Sequence, residues 1–301
     1  MRALPLRLLV VALALIGLVA LADLEQRALR READRIVATA VAGYLGVVVP
    51  PDRDGRYAAD RLVSTVSRLE GSAFWHAGLQ VTLSGAPVLD EVAVPRRVVP
   101  VPLPGPARED TVGTVAAWDT VTEGRLPDAS WVIAAATFLV AGLATTRRAG
   151  WLWPLLGLGL LLLLVRALLA GTSRTADRVA EASLDHLGPM AALMLLDPRA
   201  GVDQVRRLGP AVEVREVGTD GAPDPPAWRE YEGRRVWAVQ VAQGSGAVVE
   251  LALAPPGVGS QALELGLAGG ALVLLLSMLP PIVPRRRPPR LPGGPEGATI
   301  R

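Results

Sequence analysis

Four long apolar runs divide this chain, and the placement of its arginines decides which way each run faces. The runs lie near residues 3–22, 130–146, 151–170 and 262–284. Crossing a hydrocarbon core of about 30 Å takes roughly 20 helical residues, so each run is near the required length. Arg2 and Arg7 open the first run, Arg147-Arg148 occupy the turn between the second and third, and Arg285-Arg286-Arg287 follow the fourth. Positive residues favour the cytoplasmic side, so all three clusters are cytoplasmic together only if both intervening polar stretches face outward. The pattern predicts membrane helices over 1–22, 130–146, 151–171 and 262–284, with a cytoplasmic turn at 147–150. It predicts outer domains at 23–129 and 172–261 and a cytoplasmic Pro/Arg-rich tail over 285–301. Both termini are then cytoplasmic, and the lipid bilayer is the first partner. The opening run is read as an uncleaved anchor, being long for a signal-peptide core and lacking an A-x-A site before an obvious mature start.

Missing residue types narrow the chemistry. The chain has no cysteine, which removes disulfides and thiolate metal ligands. It has no lysine, which removes a phosphate-loop lysine, a Schiff-base lysine and a kinase strand lysine. It has no asparagine, hence no N-glycosylation acceptor. Arg, Ala, Gly, Pro, Val and Leu stand in for them, as in a GC-rich bacterial coding sequence. A net charge of +2 with scattered basic residues gives no nucleic-acid footprint. No nucleophile–base pair, paired acids or metal constellation stands out, so no catalytic residue, cofactor or metal is expected, and the chain does not read as an enzyme.

Each outer stretch opens on a helix that leaves the membrane without a break. Leu29, Ala33, Ile36, Ala40, Tyr44 and Val48 recur at helical spacing, with arginines and acids on the other side. Pro50-Pro51 stop this helix, and a second is predicted from Tyr57 to Leu69. Period-two alternation at Leu79, Val81 and Leu83 predicts a strand, with further strands at Val98–Leu103 and Thr111–Val121. Prolines 95, 100, 102, 104 and 106 place the Val98–Leu103 strand at a sheet edge. The second stretch repeats the order. A helix runs from Thr172 past Ala176, Val179, Ser183, Leu187 and Met190, with a bend expected at Gly188-Pro189. A short helix from Val202 to Leu208 follows, then strands at Ala211–Val217, Arg234–Val241 and Ala247–Ala254. The last two are joined at Gln243-Gly244-Ser245-Gly246, a connection suited to a hairpin. Ala33-Asp34-Arg35-Ile36 and Ala176-Asp177-Arg178-Val179 open the two stretches alike, as an internal duplication would.

The expected fold class is therefore an α+β membrane protein with four transmembrane helices and two small extracytoplasmic α+β domains. The order of membrane helix, long juxtamembrane helix, small α+β domain and return helix resembles the extracytoplasmic sensor region of bacterial receptor proteins of the histidine-kinase type, with tandem Cache or PAS-like domains. That resemblance implies a sheet that cradles a small-molecule ligand, signalling through membrane helices of the bacterial inner membrane, a homodimer, and a separate cytoplasmic output or kinase protein. The family's spaced Tyr, Arg, Trp and Asp ligand motif is not present as a set, so no binding residue is carried over. The alternative is an accessory or scaffold subunit of a membrane complex. The phosphoacceptor of a kinase would be cytoplasmic, whereas the only histidines, His76 and His186, fall in the outer stretches.

Candidate ligand residues follow from position. Trp75 and His76, beside Phe74, stand where helix gives way to sheet and form either a pocket wall with a proton- or anion-reading histidine or plain core with an exposed cap. Trp118 ends a strand, and Trp228, Tyr231 and Trp237 cluster in the second stretch; these line a cavity or supply the packing of small domains. Arg96-Arg97 and Arg234-Arg235 suit carboxylate or phosphate, or simply solvated faces. Arg166 lies about a turn from the outer end of its run, close enough to snorkel. Gly266 and Gly270 form a G-x-x-x-G that permits a close helix contact.

Overall fold

The computed structural model describes residues 3–52, 54, 56–89, 94–95, 98–104, 111–121, 128–144, 152–196, 201–218, 222–243, 246–257 and 261–278. Arg2, Arg96-Arg97, Arg147-Arg148, Gly244-Ser245 and the 285–301 tail lie outside the described residues. The first half runs α1 (Ala3–Val48), α2 (Ala59–Glu70), β1 (Gly78–Leu83), β2 (Ala86–Pro87), β3 (Val101–Pro104), β4 (Thr111–Trp118) and α3 (Asp128–Ala144). The second runs α4 (Leu152–Leu195), α5 (Val202–Val205) with a 3₁₀ turn at Arg206–Leu208, β5 (Glu213–Gly218), β6 (Ala227–Tyr231), β7 (Arg234–Ala242), β8 (Val248–Leu253) and α6 (Gln261–Met278). The fold is mixed α/β.

Among the described residues two helices, rather than four, are long and apolar enough to cross a membrane: Leu8–Val48 and Leu155–Leu195. The other two expected spans appear as helices of 17 and 18 described residues. Among the described residues the apolar stretch of α3 is Ser130–Ala141, and α6 opens on Gln261 and Glu264. At about 1.5 Å per residue, the 46 residues of α1 reach roughly twice the thickness of a hydrocarbon core. Half of each long helix is thus available outside a membrane. Pro189 does not end α4, which continues to Leu195. Proline removes one helical hydrogen bond, and the apolar packing of Met190, Ala191 and Met194 in the core holds the last turns in place.

The two long helices form a parallel pair. Val11, Leu15, Leu18, Val19 and Ala22 of α1 share a core with Leu161, Leu164 and Leu168 of α4. Leu29 and Ala33 meet Ala176 and Val179, and further along Ile36–Leu45 meet Ala180–Leu195. Contacts advance together along both helices, which only a parallel arrangement allows. The tetrapeptides 33–36 and 176–179 thus place Ala33 and Ala176 in one buried cluster between the helices.

Two antiparallel sheets flank this pair, ordered β2-β1-β4-β3 and β5-β8-β7-β6. The first, fourth and third strands of each half stand in the same order; only the second strand changes edge. β3 is at an edge, as its prolines require. β6 directly follows Asp224-Pro225-Pro226, a stretch whose prolines hide the strand signal. β3 and β4 pack on α1, while β7 and β8 pack on α4. α3 packs chiefly on α4, and α6 on α1. Exchanging the halves leaves this contact pattern unchanged, which is pseudo-two-fold symmetry. One continuous hydrophobic core takes Leu62, Val66, Leu79 and Val115 from the first half and Val205, Val214, Val249 and Leu251 from the second.

The G-x-x-x-G of α6 is a close contact. A Cβ on Gly266 would stand 2.3 Å from Leu21 Cδ2 of α1, and one on Gly270 would stand 2.7 Å from Leu18 Cδ2. Arg166 is exposed on α4.

Candidate functional site

The two histidines of the chain, one from each half, meet where the first half touches α4. The centroids of His76 and His186 are 4.3 Å apart with the rings tilted by 50°. Trp75 stands edge-on to His186 at 4.8 Å and 87°. Helical spacing sets the position of His186: with Val179, Ser183 and Met190 it lies on the inward stripe of α4, and its side chain is fully buried. The turn after α2 sets the other two. Gly71 caps the helix, the Ser72 hydroxyl donates to the Leu69 carbonyl, and the Trp75 N–H donates to the Ser72 carbonyl at 3.1 Å. Trp75 is buried by this turn, while His76 is exposed.

The protonation geometry of His186 follows from its neighbours. Nδ1 is 2.8 Å from the Ala182 carbonyl, which can only accept, so Nδ1 carries the proton. Nε2 keeps its lone pair and has no hydrogen-bond partner, as is true of Ser183 Oγ and Trp75 Nε1 nearby. Burial pushes the His186 pKa down, the Ala182 carbonyl opposes this, and a charge on His76 lowers it further. Asp185 is pushed up by burial and drawn partly back by His76.

Trp118 lies at the end of β4 beside this junction, where a Cβ on Gly78 would fall 2.1 Å from its indole. Trp118 is the register partner of Gly78, whereas Trp75 and His76 are the residues that meet His186. Trp228 and Trp237 form a separate cluster: they are register partners on β6 and β7, with centroids 5.3 Å apart. Trp228 Nε1 donates to Glu181 of α4 at 3.1 Å. Arg235 lies over the Trp228 ring at 4.0 Å and pairs with Asp177 at 3.2 Å, so this cluster ties the sheet to α4. Tyr231 points to the opposite face. Its hydroxyl donates to Glu250 at 2.5 Å, and its ring lies under Arg215.

Glu250 and His186 were less visible in sequence. Glu250 is the single charge in the central strand β8 and is 1% exposed. Besides Tyr231 it takes Gln240 Nε2 at 3.2 Å and Arg229 at 3.3 Å, and Arg229 also pairs with Asp224 at 2.8 Å. A charged residue within an apolar strand was the available signal. For His186 the signal was its place on the apolar stripe.

Among the described residues no group of three metal-ligating side chains comes together. A cavity of 220 Å³ beside α1 is lined by Arg31, Asp34, Arg35, Val98 and Val99 among others. Asp34 is pushed up by burial although its Oδ1 accepts from the Thr120 N–H at 3.1 Å. Two further cavities lie along the apolar half of α1, one against α3 and one against α6. Comparison of the chain with family models, with curated proteins and with solved structures finds no match.

Proposed function

We propose that this chain is a sensory module of a bacterial inner membrane, with four helices crossing, both sheets outside and both termini in the cytoplasm. The observation that carries the reading is continuity. α1 and α4 each run unbroken from a membrane-length apolar half into the core on which both sheets pack. A displacement of either sheet, by a small ligand or a partner, is thereby coupled to the membrane half through rigid helix. α1 and α4 already pair within the chain, so the relay operates inside one molecule and a homodimer adds to it without being required. The signal then passes to a separate cytoplasmic output protein. Cysteine-accessibility mapping on this cysteine-free chain tests the topology. Probes at 73 and 193 reacting from outside and a probe at 147 reacting from inside are expected; the reverse sidedness of either refutes it. For the relay, ligand-dependent spectroscopic distances between α1 and α6 in nanodiscs are expected to change.

A second reading, a scaffold subunit, is favoured by the two apolar grooves along α1. The groove against α3 is lined by Leu15, Ile16, Trp131, Ala134 and Phe138, a surface that suits a partner's membrane helix. Gentle purification that yields a stoichiometric membrane partner would favour this reading.

A further inference from the structure

In the register that aligns Ala33 with Ala176 and Ile36 with Val179, Gly43 of α1 aligns with His186 of α4. What touches these two positions is also equivalent. A Cβ on Gly43 would stand 2.0 Å from the Arg207 carbonyl oxygen, in the turn between the short helix and the first strand of the second half. His186 is touched by Trp75 and His76, in the turn between the short helix and the first strand of the first half. Each turn thus packs on the other half's long helix at the same point of the pseudo-symmetric fold. One contact is backbone against glycine, with no titratable group. The other holds every histidine of the chain.

We propose that the His76–His186 pair is a proton-binding site, and that acid releases the first half's turn from α4 while the equivalent contact at Gly43 stays closed. This rests on the sensory reading above and names its stimulus. The chemistry follows from the geometry. His186 is neutral at Nε2, buried and without an acceptor for a second proton. Histidine is the side chain that ordinarily changes charge between pH 5 and 8. Protonating the exposed His76 sets a charge against a buried ring, and protonating His186 as well sets two like charges about 4.3 Å apart. Both are relieved when the turn moves away and water reaches the rings. The sign is consistent. A buried histidine with a lowered pKa favours the closed contact at neutral pH, and that contribution is lost as pH falls below the ordinary value of about 6.5.

Asp185 attracts a charged His76 and so opposes part of the effect, while the His76–His186 repulsion drives it. Asp185 and Glu181 share α4, and Asp185 is the acid that interacts with His76. Glu181 is engaged with Trp228. On α2, which leads into the turn, Glu70 is raised by burial, and Arg68 interacts with Tyr44 of α1, which burial also raises. β7 presents Val239, which approaches α4 at Gly188.

Two histidines give two ring signals, so the full-length chain in lipid nanodiscs can be titrated by NMR with labelled histidine. H76Q is expected to move the His186 midpoint upward, because a neighbouring charge is removed; an unchanged midpoint would overturn the pair. Spin labels at A73C and L193C, both exposed, are expected to move apart between pH 7 and pH 5 and to do so less in H76Q. A separation that is constant with pH, or a change that persists fully in H76Q, overturns the proposal. H76Q alters an exposed side chain and should leave the fold intact. A second label pair, L9C and L276C, reads α1 against α6. If the first pair moves and the second does not, the proton site stands and the relay falls. If the first is constant while a small ligand moves the second, the sensory reading stands and the proton site falls.

Discussion

Gly43→Ala tests whether the second half's turn is locked on α1. In an exposed helix the change would stabilise by about 1 kcal/mol through backbone entropy. Here the new Cβ would lie 2.0 Å from the Arg207 carbonyl oxygen and 2.8 Å from its carbon, against an ordinary contact of 3.4 Å or more. The obstacle is backbone rather than a side-chain tip, so the turn has to shift by about 1.4 Å. Overpacking of a tight core costs about 1–3 kcal/mol, and a rigid opponent puts this case at the upper end. Subtracting the propensity gain leaves a net loss of about 2 kcal/mol. At about 2–4 °C per kcal/mol, the apparent Tm should fall by roughly 4–8 °C. Thermal unfolding of the full chain in nanodiscs reads this directly. Gly17→Ala is the control, on the same helix with nothing within 4 Å of the new Cβ, and it should leave Tm unchanged or raised. Equal or higher Tm for Gly43→Ala would mean that the second half does not press on α1 as described.

Three further outcomes follow from other contacts. Glu250→Ala strips a buried acceptor from Tyr231, Gln240 and Arg229. Breaking a fully buried pair costs about 3–5 kcal/mol, and the partial exposure of Arg229 reduces this to about 2 kcal/mol in denaturant unfolding; a loss below about 0.5 kcal/mol would show the network to be slack. Asp34→Asn keeps an oxygen for the Thr120 N–H while removing a carboxylate whose pKa is raised by burial. A raised acid is stabilising only when protonated, so the variant should unfold at higher temperature at pH 7, and its advantage should vanish as pH falls toward about 4. A flat difference across that range would rule out the buried carboxylate as its cause. Replacing both Gly266 and Gly270 by leucine should push α6 off Leu21 and Leu18 and abolish cysteine cross-linking between α1 and α6, whereas retained cross-linking would contradict the close approach.

Much of the secondary structure was legible because helix and strand periods are local. The strand at Arg234–Val241 appears as β7 (Arg234–Ala242), and that at Ala247–Ala254 as β8. Two short strands were not legible. β2 has two residues, too few for any period, and β6 begins directly after two prolines. In sequence the six candidate aromatics fall into Trp75-His76, Trp118 alone, and Trp228, Tyr231 and Trp237 together. The structure sets Trp75 and His76 on His186 and Trp118 over Gly78, and it joins Trp228 to Trp237. Tyr231 turns toward Glu250, because strand alternation sends Tyr231 and Trp228 to opposite faces.

By itself the sequence determined the long helices, their apolar halves, the absence of lysine and cysteine chemistry, and the shared tetrapeptide that opens each half. These are matters of composition and short-range spacing, which any local stretch of chain carries. Only the tertiary structure decided that Ala33 and Ala176 share one cluster, that both sheets share one core, that α3 crosses to α4 and α6 to α1, and that His76 reaches His186. Such contacts join residues far apart in the chain. They depend on how buried surfaces are shared once every element competes for the same α1–α4 pair, and no period within a single segment records that competition.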